Sequence, residues 1–247
     1  MKKLFGRCFN VILILALTFA LGPALPAMAE EDVSAFIMEG GTITGYTGPG
    51  GDVVLPASAT AVADYAFAGN AAISSVTIPA NVTSVGSYAF SGCTGLTNAV
   101  FGGPVSLGGG AFYGCSALTE IEIPSTVHRI GSDVFTGCSS LTSVKIPNAI
   151  TEINSNTFAG CTSLATITFP GKINYIGDGA FRDCTALSQV VFSGAEEQWN
   201  QITIGANNAY LLNAEKIFAP YKLGDIDSNG KITSVDAVIL KRWLAKW

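Results

Sequence analysis

Ser139 to Cys161 reads SSLTSVKIPNAITEINSNTFAGC, and the chain returns to this 23-residue pattern about six times. Phe67, Phe90, Phe112, Phe135, Phe158 and Phe181 mark the copies, at spacings of 23, 22, 23, 23 and 23. A fixed period of this size is the signature of a solenoid, and it outranks any local secondary-structure preference. Within the quoted copy, Leu141, Val144, Ile146, Ile150, Ile153, Phe158 and Cys161 hold the apolar phase. Val144 and Ile146 alternate with Ser143 and Lys145, as a half-buried strand does. Pro147 ends that strand because it cannot donate to a further ladder bond. A second short extended piece is expected at Ile150 to Ile153, and the NSNTFAGC run is expected to reverse the chain through a short helical turn. A coil this small cannot bury its own apolar side, so the copies must stack into one continuous core.

The pattern L-x-x-V-x-I-P-x-x-I-x-x-I-x-x-x-x-F-x-x-C resembles the BspA-like, bacterial surface-antigen type of leucine-rich repeat, over residues 53–192. The resemblance implies a leucine-rich-repeat solenoid with one main strand of a parallel sheet per coil. It also implies caps at both ends: residues 30–52 at the front and 193–220 at the back. The third copy departs from the pattern. Phe101 takes the isoleucine position, Gly102 replaces the proline and one residue is missing before Phe112, which predicts a local kink without a break.

In the front segment, GGTITGYTGPGGDVVLP suggests a hairpin of Thr42–Thr44 with Val53–Leu55 around the Gly/Pro run. Residues 1–29 precede it as a secretory signal peptide. Lys2, Lys3 and Arg7 form a basic start, Val11 to Leu21 an apolar run too short to span a membrane, and Ala27-Met28-Ala29 a small-x-small cleavage site. Its removal leaves ten Lys and Arg against 18 Asp and Glu, a net charge of −8. That balance argues against nucleic acid and anionic lipid as partners.

Cys93, Cys115, Cys138, Cys161 and Cys184 each follow a marker Phe by three residues. A secreted chain raises the expectation of disulfides. An odd number in a single repeat phase instead favours a file of small buried thiols. His128 is the only histidine and reads as a surface residue, so neither a histidine-based triad nor a zinc site is indicated. No carboxylate pair stands apart from the repeat pattern as glycoside hydrolysis needs, which argues against an enzyme.

The outward residues of the main strands are the candidates for a binding face. They include Glu120 and Glu122, Ser143 and Lys145, and Thr166 and Thr168. The face is polar and lacks an aromatic side chain, so it suits a protein ligand better than a sugar. After Phe192 the repeat phase is lost. Ala195 to Asn200 is expected to turn as a helix and set Trp199 over the last coil, with Ile202 and Ile204 alternating as in a strand.

The tail is GDIDSNGKITSVDAVILKRWLAKW. Asp225, Asp227, Asn229, Gly230 and Asp236 stand at positions 1, 3, 5, 6 and 12 of a calcium loop, with the Lys231 carbonyl and Thr233 completing the oxygen set around Ca2+. Aspartate at position 12, the Gly-Asp opening and Lys241-Arg242 on the following helix resemble a type I dockerin, the module that docks secreted proteins to cohesin modules of a scaffoldin, as in cellulosomes. The resemblance implies that Ser234, Val235, Lys241 and Arg242 face cohesin. A dockerin has two such units and residues 221–247 supply one. Ala237, Leu240, Leu244 and Trp247 form an apolar stripe that the second unit would cover, so the tail is expected to be the front half of a longer one. Together these features suggest a secreted, non-catalytic binding protein attached to a scaffold. The alternative is a cell-surface adhesin whose calcium loop is only structural.

Overall fold

The computed structural model describes residues 33–218. The signal-peptide reading, the calcium loop and the cohesin-facing residues lie outside them.

Fifteen short strands run in chain order: β1 (Phe36–Glu39), β2 (Thr42–Tyr46), β3 (Gly51–Val54), β4 (Ala61–Val62), β5 (Ile73–Ile78), β6 (Ser84–Val85), β7 (Asn98–Phe101), β8 (Ser106–Leu107), β9 (Ser143–Lys145), β10 (Glu152–Ile153), β11 (Thr166–Pro170), β12 (Tyr175–Ile176), β13 (Gln189–Ser193), β14 (Thr203–Ile204) and β15 (Glu215–Phe218). Two short helices, α1 (Glu196–Trp199) and α2 (Ala209–Asn213), lie among the last strands. Each coil but the fourth contributes one strand to a main row and one to a second row, and the rows pair in parallel from coil to coil. With Glu120–Ile123 included, the main row has eight positions from β3 to β15.

The core is the repeat phase made solid. Phe67, Phe90, Phe112, Phe135, Phe158 and Phe181 stack ring on ring, with centroids 4.7–5.8 Å apart and planes within 20°. Their backbones form a second column. The N–H of each marker Phe donates to the next coil, Phe67 to Ala89 O (2.8 Å) through Phe158 to Ala180 O (2.9 Å). The column ends on a side chain: Phe181 N–H donates to Oδ1 of Asn208 at 2.9 Å, and Asn208 Nδ2 donates to Gly177 O and Gly205 O. Asn208 thereby supplies from its side chain the acceptor that a backbone carbonyl supplies in the earlier coils, and its burial is tolerable because its amide is fully engaged.

All five described cysteines are buried free thiols, as the single repeat phase suggested. Each sulfur points at the preceding coil, not at a neighbouring sulfur. Cys93, Cys115, Cys138, Cys161 and Cys184 donate to the carbonyls of Phe67, Phe90, Phe112, Phe135 and Phe158, at 3.1–3.3 Å. The same carbonyls accept an N–H of their own coil, Phe67 O from Asn70 and the other four from the coil's cysteine, as Phe90 O does from Cys93. The reversal around each Phe is a run of tight turns and not the helical turn expected. Left-handed residues interrupt it on both sides of the Phe, Asn156 (φ 56) and Gly160 (φ 71) in the quoted copy.

Both ends differ from the simple capping picture. At the front, the hairpin is β1 with β2, antiparallel across Gly40-Gly41, both at positive φ as a type I′ turn demands. Val53 lies in β3, which pairs in parallel with β5, so Val53–Leu55 does not fold back on Thr42–Thr44. The GPGG run is the crossover into the first main strand. Phe36 and Tyr46 of the hairpin close over Phe67, at 6.4 and 5.4 Å. At the back, residues 193–218 form a further coil: β14 extends the second row beside β12, and β15 extends the main row beside β13. Trp199, at the end of α1, is buried against Phe169 and Phe192 (6.0 and 5.5 Å), which makes it an anchor of the core.

Candidate binding groove on the repeat face

The fourth coil breaks the regularity. Its main-strand segment, Glu120-Ile121-Glu122-Ile123, keeps the side-chain alternation: Ile121 and Ile123 are buried and both glutamates are exposed. It forms no strand, however, and its four residues make no backbone hydrogen bond. The main row is therefore interrupted between β7 and β9. The second row is interrupted at the same coil, beyond an isolated bridge from Leu107 to Ile130. The Phe column passes through unbroken, with Phe112 N–H on Val134 O at 2.9 Å, but the Phe112–Phe135 spacing of 5.8 Å is the widest in the stack.

The coil before it departs from the repeat. The third coil is a residue short between Val105 and Leu107, where its predecessor runs Val82, Thr83, Ser84, Val85. It also places Phe101 where Ile78 stands, and that ring packs edge-on against Phe112 at 6.1 Å, as Phe169 at the same position does against Phe181 at 5.9 Å in a coil whose strand is complete. The third coil itself pairs regularly, β7 with β5 and β8 with β6, and the ladder opens in the coil after it. Glu120 and Glu122 belong to a strand position that the structure leaves unpaired, which corrects the expectation of one main strand in every coil.

The opening is a groove of about 800 Å3 over the main row. Asn98 and Val100 of β7 form one wall, Glu120 and Glu122 the floor, and Ser143 and Lys145 of β9 the other wall. Four of the face candidates read from the repeat phase, Glu120, Glu122, Ser143 and Lys145, meet here and are exposed. Thr166 and Thr168, in β11, are half-buried and lie outside the groove. Neither glutamate nor Lys145 is in an ion pair among the described residues. The groove thus offers two carboxylates, one ammonium and a stretch of unengaged backbone. Among the described residues nothing in it forms a nucleophile–base pair. Among the described residues no group of three or more His, Cys, Asp or Glu could hold a metal ion, and no helix is long and apolar enough to cross a membrane. His128 is exposed.

Sequence reading missed one surface feature. Tyr65 and Tyr88 stack at 5.4 Å and 8° on the turn side of the coils, and Tyr65 is 62% exposed. Both sit at positive φ (60 and 55), at the position that Asp133 and Asn156 occupy in later coils. A bulky residue at this phase was the available signal.

Solved structures repeat this architecture. A leucine-rich repeat protein of T. pallidum matches with 31% identity and a TM-score of 0.63, over 70% of this chain and 82% of its own. One from Bacteroides ovatus matches with 31% identity and a TM-score of 0.58, over 68% of this chain but only 42% of its own length. One from Eubacterium ventriosum matches with 28% identity and a TM-score of 0.52, over 58% of this chain and 46% of its own. No curated protein matches the sequence. The BspA type leucine rich repeat region matches in six copies across residues 51–106 and 105–230. With the stacked coils, the marker Phe column and this match in agreement, the chain belongs to the BspA-type leucine-rich repeat family.

Proposed function

We propose that the protein is a secreted, non-catalytic surface-binding protein. Its repeat face holds a protein ligand, and its tail attaches it, through calcium, to a cohesin module of a scaffoldin. The observation that carries the binding role is the groove: exposed Glu120, Glu122, Ser143 and Lys145 converge on one opening of the main row. Membership of the repeat family supports it. The attachment rests on the oxygen donors of the tail, Asp225, Asp227, Asn229, Lys231, Thr233 and Asp236, whose types and spacing suit Ca2+. It rests further on Ser234, Val235, Lys241 and Arg242, which match the cohesin-facing positions of a dockerin.

The two halves separate experimentally. For the face, the wild-type chain and a triple variant (Glu120→Lys, Glu122→Lys, Lys145→Glu) are compared on an array of bacterial and host extracellular proteins, with Arg182→Glu on the turn side as control. Partners lost by the triple variant and kept by the control support the face; partners captured equally by all three sink it. For the tail, calorimetry should show one calcium site, abolished by Asp225→Ala with Asp236→Ala. No calcium heat at millimolar ion removes the dockerin-like role. In a chain whose tail is extended by a second loop–helix unit, calcium binding without cohesin affinity favours the adhesin whose loop is structural.

A further inference from the structure

Tyr65 and Tyr88 hold a backbone conformation that bulky side chains avoid, with φ of 60 and 55. At the same phase the other coils carry Gly110, Asp133, Asn156 and Gly179, types that adopt it readily. Backbone strain of this kind persists where the surroundings compensate it, and it gathers at ligand sites. Core burial is not the compensation here, because Tyr65 is 62% exposed and Tyr88 is only half-buried.

The rings form a supported surface. Tyr88 lies between Tyr65 on one side, at 5.4 Å and 8°, and Gly110 on the other, where an added Cβ would meet the ring. Tyr113, itself exposed, flanks Tyr88 at 6.1 Å. Tyr65 has one face on Tyr88, and at 62% exposure it turns the other face to solvent. Beside the pair, Asp64 is exposed: its Oδ1 accepts from Ser87 N–H at 2.6 Å, and its Oδ2 has no partner among the described residues.

A flat aromatic face with a carboxylate at its rim suits a sugar, whose ring C–H groups lie on the aromatic ring while hydroxyls donate to the carboxylate. Charge narrows the class. From Val33 to His128 the chain holds no Lys or Arg, so the coils that carry the tyrosines offer no cation to a sulfated or uronic sugar, and Asp64 repels both. The two rings stack too closely to admit a proline between them, which disfavours a proline-rich peptide. We propose that the tyrosine stack is a platform for a neutral sugar, with one sugar ring laid on the free face of Tyr65 and hydroxyls donating to Asp64. The platform shares no residue with the groove and goes beyond the protein-binding role of the repeat face.

The test is saturation-transfer NMR of the full chain with oligosaccharides of glucose, mannose and xylose at millimolar concentration. An oligosaccharide of galacturonic acid and a polyproline peptide run beside them. At least one neutral oligosaccharide should receive saturation on its ring protons, and the uronic acid chain should receive none. Tyr65→Asn should abolish the transfer while the urea midpoint holds or rises, because asparagine accepts the left-handed backbone. Tyr65→Phe should keep the transfer. Asp64→Ala should weaken the affinity about tenfold, the loss of one hydrogen bond to a charged group. Transfer that survives Tyr65→Asn would overturn the inference, as would equal transfer to the uronic acid chain, binding of polyproline alone, or silence from every saccharide. None of these outcomes bears on the protein array, which decides the repeat-face reading separately.

Discussion

Phe135→Ala should destabilise the protein by about 3–5 kcal/mol, while Lys145→Ala stays within about 0.5 kcal/mol. Phe135 is fully buried, between Phe112 at 5.8 Å and Phe158 at 5.5 Å. Removing its ring leaves a cavity that collapses poorly, because backbone columns on both sides fix the coil spacing. In a solenoid each coil is supported mainly by its neighbours, so the loss should spread to the coils of Phe112 and Phe158. Lys145 is exposed on the groove wall and in no ion pair among the described residues. Urea melts of the two variants decide the matter, and equal midpoints and slopes would mean that the inward and outward assignments are wrong.

Alkaline pH should unfold the protein through its thiol file. Burial pushes Cys93 from 9.0 up to about 11 and Cys184 up to about 12, while Cys115, Cys138 and Cys161 rise further. The unfolded thiols ionise near pH 9 and the folded ones stay protonated, so folding holds extra protons above that point. The stability is intact below pH 9 and falls as pH rises through the window to about 11 and 12. Each responding thiol costs about 1.4 kcal/mol per pH unit, so the file removes on the order of several kcal/mol per unit. Thiolate absorbance should therefore appear together with the loss of circular dichroism, and Cys138→Ala should make the decline shallower. Thiolates that titrate near pH 9 in an intact fold would contradict the buried file.

How much of this was legible in the sequence depended on whether a feature repeated. The Phe column, the cysteine phase, the alternation Ser143-Val144-Lys145 and the short strand ending at Ile153 recur, and the structure places them as read. Trp199 was legible because a lone large aromatic after the last repeat must be covered. Single events were harder. Gly40-Gly41 was overlooked for the longer GPGG run, and only pairing partners distinguish a hairpin from a crossover. The final coil escaped because its register jumps: Thr166 pairs with Gln189 after 23 residues, but Gln189 pairs with Glu215 after 26. Its turn ends on Asn208 in place of a marker Phe. The groove escaped because the missing residue lies in the third coil, whereas the ladder opens in the fourth, where Glu120–Ile123 fits the pattern.

The most direct test of the account is residue-resolved hydrogen exchange on the free protein. The central claim is that one turn column runs unbroken past an opening in the strand rows. The amides of Phe90, Phe112, Phe135 and Phe158, each bonded to the next coil, should exchange slowest, together with those of β11 and β13. The amides of Glu120, Ile121, Glu122 and Ile123 should exchange many times faster than their equivalents in β9 and β11, since no backbone carbonyl among the described residues accepts them. Equal protection of Glu120–Ile123 and β11 would mean that the ladder is closed, and the groove on which the binding role rests would not exist.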